Sequence, residues 1–147
     1  MATWKDKNGK EWNCEITVKV LKQIKQRLNV DFMDITNAVK KLMTDVYFLC
    51  DSLYIVHEEE CQRCGLSDED FGALLVGDSI ENATMALIDS LICFFPIQQR
   101  EMLEKITKKR EAVTAEIYRQ MGTEIDNLPM EKVIELIRKN FGGVSSN

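Results

Sequence analysis

The chain has 147 residues, 45% of them hydrophobic and 29% charged, with a formal net charge of −5 at pH 7. These values are ordinary for a globular protein, and the length predicts one domain with a core of its own. The apolar runs are too short to span a bilayer, and the charged N-terminus lacks the apolar stretch of a secretory signal. Five cysteines, an odd number, indicate reduced thiols, so we expect a cytosolic protein.

Charge is distributed unevenly along the chain. Residues 1–44 carry nine Lys or Arg against five Asp or Glu, residues 45–104 carry two against thirteen, and residues 105–147 carry eight against six. The strongly acidic centre disfavours nucleic-acid binding. It is most simply a solvated surface, although it could also steer a basic partner toward the protein.

Residues 2–16 are predicted to form a β-hairpin around an Asn-Gly turn signal at Gly9. A two-residue loop would place like charges opposite each other, as in Lys7 against Lys10. A three-residue loop, with Gly9 in the left-handed conformation, pairs opposite charges and aromatic rings instead, which is the more stable register. The residues then expected on one face of the ribbon are Trp4, opposite Trp12, together with Cys14 and Ile16.

Residues 17–95 are predicted to form a helical core. Apolar residues at helical spacing predict helices over residues 17–29, 31–43 and 44–64, followed by a short helix over residues 67–77. The expected N-caps and helix ends are Thr17, Thr44-Asp45, Ser67, Gly65 and Gly77.

The most apolar stretch, residues 78–95, is predicted to be the central helix. Asp78 is its expected N-cap, and Pro96, which has no N–H, ends it. Polar residues occupy a narrow part of its circumference, so other elements must surround the rest. The side chains expected in the core are Ile80, Ala83, Leu87, Leu91, Phe94 and Phe95.

Residues 97–141 are predicted to form a long charged helix, ending at Gly122, and a C-terminal helix that begins after Pro129. The long helix has a thin apolar seam beside a basic cluster and is the best candidate for an interaction surface, although a helix packed on its own core is the simpler interpretation. Residues 142–147 are predicted to be a flexible tail. The predicted partner-binding residues are Lys105, Lys108, Lys109, Arg110, Val113 and Ile117.

Together these elements predict a mainly α protein: a single helical domain of about six helices, residues 1–147, with an N-terminal β-hairpin.

His57, Cys61 and Cys64 have side chains that suit zinc. On one helix, however, His57 and Cys64 lie about 10.5 Å apart along the axis, too far for one ion to bind all three residues comfortably. The two cysteines also lie at the C-terminal end of that helix, where the dipole disfavours a reactive thiolate. We therefore expect a core histidine and two core thiols, with neither a metal nor a cofactor.

No catalytic constellation stands out. The carboxylate runs at residues 58–60 and 68–70 lie next to helix ends, where a solvated surface or a cap is a simpler interpretation than general acid–base catalysis. The chain has a single histidine and no Gly-rich phosphate loop, so a hydrolytic triad is disfavoured. We expect a protein that is not an enzyme.

Several short motifs over about residues 4–100 resemble one protein family. The motifs are Gly9 with Trp12, Val30-Asp31-Phe32, Gly65-Leu66-Ser67, Asp70-Phe71, Gly77-Asp78, Ala83, Ala86-Leu87, Phe94-Phe95-Pro96 and Arg100. Taken together, they resemble the tail assembly chaperones, small proteins encoded in phage tail modules.

The resemblance implies a non-catalytic, largely helical protein in the cytoplasm of the bacterial host. Such proteins keep a tape-measure protein soluble and recruit tail-tube subunits, so these are the expected partners, without nucleic acid or membrane and with self-association left open. Two alternatives stay open. One is a structural or adaptor component of the phage particle, and the other is a small metal-binding regulatory protein that uses His57, Cys61 and Cys64.

Overall fold

A computed structural model of the chain describes residues 2–126 and 129–140, apart from some side chains in the last two helices. The protein is mainly helical (72%) and has eight helices in this part of the chain, more than the six or so expected, with a two-stranded antiparallel hairpin at the N-terminus. The chain divides into two compact units, Met1–Glu101 and Met102–Asn147, which are described separately. That they form a single domain stays a prediction, and the predicted tail at residues 142–147 lies outside the described residues.

The hairpin has the predicted register. Strand β1 (Ala2–Lys5) pairs with strand β2 (Glu11–Cys14) so that Trp4 lies opposite Trp12. The N–H of Asp6 donates to the carbonyl of Lys10 at 3.0 Å, and Gly9 has a φ of 83°, as the three-residue loop requires. Trp4, Trp12 and Cys14 are buried on one face of the ribbon, while Ile16 is half-buried just beyond it.

The first two helices follow the hairpin. Helix α1 (Val18–Leu28) is capped by Thr17, whose hydroxyl accepts from the N–H of Val20. Helix α2 (Ile35–Thr44) begins four residues later than predicted. The reason is that the side chain of Asp31 accepts from the N–H of Met33 at 2.9 Å, which makes residues 31–34 a turn.

The predicted third helix is two helices. Helix α3 (Val46–Val56) is capped by Asp45, whereas Thr44 ends the preceding helix, and helix α4 (Glu58–Cys64) follows after a break at His57. Gly65 ends α4 in the left-handed conformation, as predicted. The short helix α5 (Asp68–Gly72) starts with a capping box between Ser67 and Asp70, and ends before the predicted limit at Gly77.

Helix α6 (Asp78–Phe94) is a core helix, as predicted, although Gly77 and not Asp78 occupies its N-cap. It packs mainly against β1 and also against α3 and α2, while α3 packs against α1, α2, α5 and α6, so the two helices share the centre of this unit. Ala83, Leu87 and Leu91 are fully buried. Three residues expected in the core are only half-buried, namely Ile80, Phe94 and Phe95.

Helix α7 (Ile97–Asp126) and helix α8 (Met130–Asn140) complete the described chain. The predicted stop at Gly122 is wrong, because α7 continues through it for one more turn. A glycine in a helix interior costs only about 1 kcal/mol relative to alanine, so it need not end a helix.

Candidate functional site

The predicted partner-binding residues lie on α7. Lys105, Lys108, Lys109 and Val113 are exposed, and the side chains of Arg110 and Ile117 lie outside the described part of the chain. Val113, Met102 and Ile106 fall within about 40° of one another at 100° per residue. They are 53%, 64% and 57% exposed, respectively. They form an apolar row on the surface of α7, with Lys109 beside it.

Helix α8 has a similar row. Met130, Ile134 and Ile137 follow one another at intervals of four and three residues, and all three are exposed. This spacing places them on one face of the helix. Both described helices of the second unit therefore present apolar side chains to solvent.

His57 lies in the core of the first unit and not on its surface. The indole N–H of Trp4 donates to Nε2 of His57 at 3.1 Å, and Sγ of Cys14 lies 3.7 Å from the same nitrogen. An indole nitrogen can only donate, so Nε2 must accept and His57 is neutral with its proton on Nδ1. Burial lowers the pKa of His57 to about 4 and raises the pKa of Cys14 to about 12.

Aromatic rings surround this histidine. Trp4 and Trp12 stack with centroids 5.9 Å apart, and Phe71 meets Trp12 edge-on at 5.3 Å. The His57 ring lies 5.1 Å from that of Trp12. The cluster joins the hairpin to α3 and α5, and it gives His57 a structural position in the core.

The two cysteines of the CxxC motif lie in different environments. Cys61 is buried, and burial raises its pKa to about 11. Cys64 is exposed, which corrects the prediction of two core thiols, and its Sγ accepts from Nζ of Lys10 at 3.3 Å. Among residues 2–126 and 129–140, no group of three or more His, Cys, Asp or Glu is placed to hold a metal ion.

The carboxylates at residues 58–60 lie in the first turn of α4, where the helix dipole favours negative charge. Each is in an ion pair: Glu58 with Arg27, Glu59 with Lys19, and Glu60 with both Lys10 and Arg63. Hydrogen bonds from Arg63 and Lys10 hold the pKa of Glu60 at about 2. These contacts agree with the simpler interpretation of this run as helix-end and surface charges.

A groove of about 700 Å³ lies beside β2. Residues Glu11, Trp12, Asn13 and Glu15 form one wall of the groove. The first half of α1, the end of α3 and most of α4 form the other walls. Consecutive residues of a strand point to opposite faces, so a cavity that three of them line in succession lies at the edge of the strand. The volume is within the range of ligand sites.

Two buried side-chain hydrogen bonds were not predicted from the sequence, one between Trp12 and Asp6 and the other between Trp4 and His57. Asp6 is buried, and its carboxylate accepts from the indole N–H of Trp12 at 2.9 Å and from the N–H groups of Asn8 and Lys10. Burial would raise the pKa of Asp6, but these hydrogen bonds outweigh it and lower the pKa. An aspartate before an Asn-Gly turn is a usable signal for the two backbone bonds, whereas no sequence pattern links Trp4 to His57.

Comparison of the chain with protein families, with curated proteins and with solved structures gives no match. Within the described ranges, no helix has both the length and the apolar character needed to cross a bilayer. Any statement of function therefore rests on the surfaces described above and on the resemblance of the sequence motifs.

Proposed function

We propose that this protein is a non-catalytic, tail assembly chaperone-like protein that binds tape-measure or tail-tube proteins in the bacterial host cytoplasm. The observation that carries the proposal is the apolar row of Met102, Ile106 and Val113 on α7. A row of this kind suits the apolar face of a partner helix. Lys105 and Lys109 lie near it and suit acidic side chains on that partner.

The chemistry of the described residues favours binding over catalysis. The only histidine is buried, neutral and hydrogen-bonded within the core. The acidic residues with clearly lowered pKa values are Asp6, Glu60 and Glu116, and in each case hydrogen bonds to neighbouring groups account for the shift. The motifs over residues 4–100 resemble those of tail assembly chaperones. This resemblance is the reason for proposing tail assembly among the possible binding functions.

The test is co-expression with the tape-measure protein encoded in the same tail module. The wild-type chain should raise the soluble yield of that protein and be retained with it on an affinity column. The double variant Ile106→Asp/Val113→Asp should lose both effects, since it places two charges in the apolar row. No increase in soluble yield with the wild-type chain would contradict the proposal.

The chain offers a matched control for this variant. Val18 and Val76 are 56% and 57% exposed and lie in the first unit, whereas Ile106 and Val113 are 57% and 53% exposed. The double variant Val18→Asp/Val76→Asp therefore makes the same change in side chains of the same exposure elsewhere. It should bind as the wild type does, and equal loss in both double variants would show that the α7 row is not the site.

The second candidate, a structural or adaptor component of the particle, uses the same surface. A chaperone leaves the assembly, so we expect the chain to be missing from purified tails. Its presence there at a fixed ratio to the tube subunit would favour the structural role. The metal-binding alternative requires His57, whose Nε2 already accepts the Trp4 N–H, so the geometry gives it no support.

A further inference from the structure

We propose that the outer edge of β2 is a second binding site, which takes an extended, basic segment of a partner protein as an additional antiparallel strand. This site lies in the first unit and is independent of the α7 row and of the function proposed for it.

The hydrogen-bond pattern of the hairpin determines which backbone groups face outward. Asp6 and Lys10 are a hydrogen-bonded pair, because the N–H of Asp6 donates to Lys10. Pairs alternate along an antiparallel ladder, so Trp12 bonds inward to Trp4 while Glu11 and Asn13 direct their N–H and C=O groups away from β1. Within the described chain, no hydrogen bond from another element reaches these outward groups of Glu11 and Asn13.

The two edges of the hairpin differ in their surroundings. Helix α6 packs along β1 and touches β2 at few places, and a smaller groove of about 520 Å³ lies between β1 and α6. The edge of β2 faces the groove of about 700 Å³. An open strand edge is a template for pairing with another chain, and adding a strand to it is a recurrent mode of peptide recognition.

The charges around the groove favour a basic occupant. The cations Lys19, Arg63, Lys10 and Arg27 are all engaged by Glu58, Glu59 and Glu60. In the described chain, Glu11 and Glu15 make no ion pair, although Lys5 lies opposite Glu11 on β1. Glu11 and Asn13 alternate along β2, and Glu15 follows its last residue, Cys14. A segment that continues the pairing one residue past β2, with Lys or Arg opposite both glutamates, would complete two cross-strand ion pairs.

The same glutamates disfavour pairing of β2 with a second copy of itself. An antiparallel dimer centred on Asn13 would place Glu11 of one copy opposite Glu15 of the other. Like charges directly opposite each other destabilise a sheet. A basic segment from a different protein is therefore the occupant that the edge selects.

The test uses a fluorescein-labelled peptide, acetyl-Gly-Lys-Val-Thr-Val-Lys-Gly-amide, whose lysines have the spacing of the two glutamates. Fluorescence anisotropy should show binding to the full-length chain, with the largest NMR shifts at the amides of Glu11 and Asn13. Methylation of the threonine nitrogen removes a strand hydrogen bond and should weaken binding roughly tenfold. Methylation of a valine nitrogen, which points away from β2, is the matched control and should leave the affinity within about twofold.

Variants of the protein test the same contacts from the other side. Asn13→Pro removes the outward N–H at an edge position that tolerates proline, and should weaken binding at least roughly tenfold, whereas Asn13→Ala keeps the N–H and should bind as the wild type does. Near-UV circular dichroism of the Trp4–Trp12 pair reports whether each variant has kept the hairpin. Glu11→Gln/Glu15→Gln should weaken binding about threefold to tenfold, and only at low salt, while Glu69→Gln/Glu81→Gln, a change of equal charge on exposed residues of α5 and α6, should not.

Four outcomes would overturn the proposal. They are the absence of binding at millimolar peptide, equal affinity for a peptide with glutamates in place of the lysines, equal affinity of Asn13→Pro and Asn13→Ala, and a concentration-dependent dimer that Asn13→Pro abolishes. The last would assign the edge to a second copy of this chain. None of them bears on the α7 row, whose test uses different variants and a different partner.

Discussion

His57 is the side chain whose role changes most between sequence and structure. Its type and its spacing to two cysteines suit a metal ligand, yet it is 4% exposed and accepts a hydrogen bond from Trp4. Protonation would abolish that acceptor and place a charge among aromatic rings. Burial therefore lowers the pKa of His57 from its ordinary 6.5 to about 4.

This buried histidine predicts that stability falls on mild acidification. Between pH 6.5 and pH 4 the unfolded chain binds a proton at His57 that the folded chain excludes, so the free energy of unfolding decreases as the pH decreases. The expected loss from pH 7 to pH 5 is about 2 kcal/mol. Urea denaturation followed by tryptophan fluorescence measures it.

The control for this prediction is His57→Gln, which does not titrate and keeps an acceptor for the Trp4 N–H. Its free energy of unfolding should be lower than that of the wild type at pH 7 and nearly constant down to pH 5. The carboxyls of Asp6 and Glu60, with their lowered pKa values, stay ionised in this window. A slope in the variant as steep as in the wild type would place the titrating group elsewhere.

At the scale of helices, two glycines show that a glycine alone does not determine where a helix ends. Gly65 ends α4 with a φ of 72°, and nothing lies within 4 Å of where a Cβ would be. Gly122 lies inside α7, also with open space around a Cβ and without a positive φ. The same residue type thus ends one helix and is only tolerated in another.

These two sites should respond to alanine with opposite signs. Gly65→Ala should destabilise the protein by about 1 kcal/mol, because alanine is strained in the left-handed region. Gly122→Ala should increase helix content and stabilise α7 by roughly 0.5–1 kcal/mol. Urea denaturation and far-ultraviolet circular dichroism measure the two effects, and destabilisation by Gly122→Ala would mean that α7 requires a glycine there.

Local chemistry made several elements predictable. The hairpin register follows from charges that face each other across a short ladder, and the caps at Thr17 and Ser67 follow from hydroxyl groups placed at helix starts. The start of α2 was missed because Asp31 forms a turn through its own side chain, a choice that competes locally with a helix. The break at His57 and the groove beside β2 depend on contacts between residues far apart in the sequence, so they have no such local cause.

The break between α3 and α4 at His57 has no cause in the neighbouring sequence. The backbone there has φ −103° and ψ 13°, yet the helical hydrogen bonds from His57 to Leu53 and from Cys61 to His57 persist at 2.9 Å. No proline or glycine marks the position. His57 accepts its side-chain hydrogen bond from Trp4, 53 positions away, so periodicity along one helix could not indicate the break or the cluster around it. The groove beside β2 also depends on long-range packing, since residues 11–23 line it together with residues 55–63.

At the scale of the whole molecule, the buried side chains of the described chain all lie in one of the two units. Every buried side chain in the described chain lies before residue 102, and among the described side chains of residues 102–126 and 129–140 none is buried. Most helical stability in proteins comes from packing of an apolar face, because short isolated helices are marginal in water. The described side chains of the second unit therefore supply little of this stabilisation, and its exposed apolar rows are available for a partner to supply it.

Hydrogen exchange of the full-length chain should resolve this difference. Amides of α6, which carries Leu87 and Leu91 in the core, should exchange only through global unfolding. Amides in residues 102–126 and in α8 should exchange through local opening and be protected at least roughly a hundredfold less, since each 1.4 kcal/mol of local stability changes the protection tenfold. Adding the tape-measure protein should protect α7 around Ile106 and Val113, with little change in α6, because binding supplies the buried face that the helix lacks. Equal protection in both units without a partner would show that the second unit has a core of its own, and the α7 row would then need another explanation than a binding face.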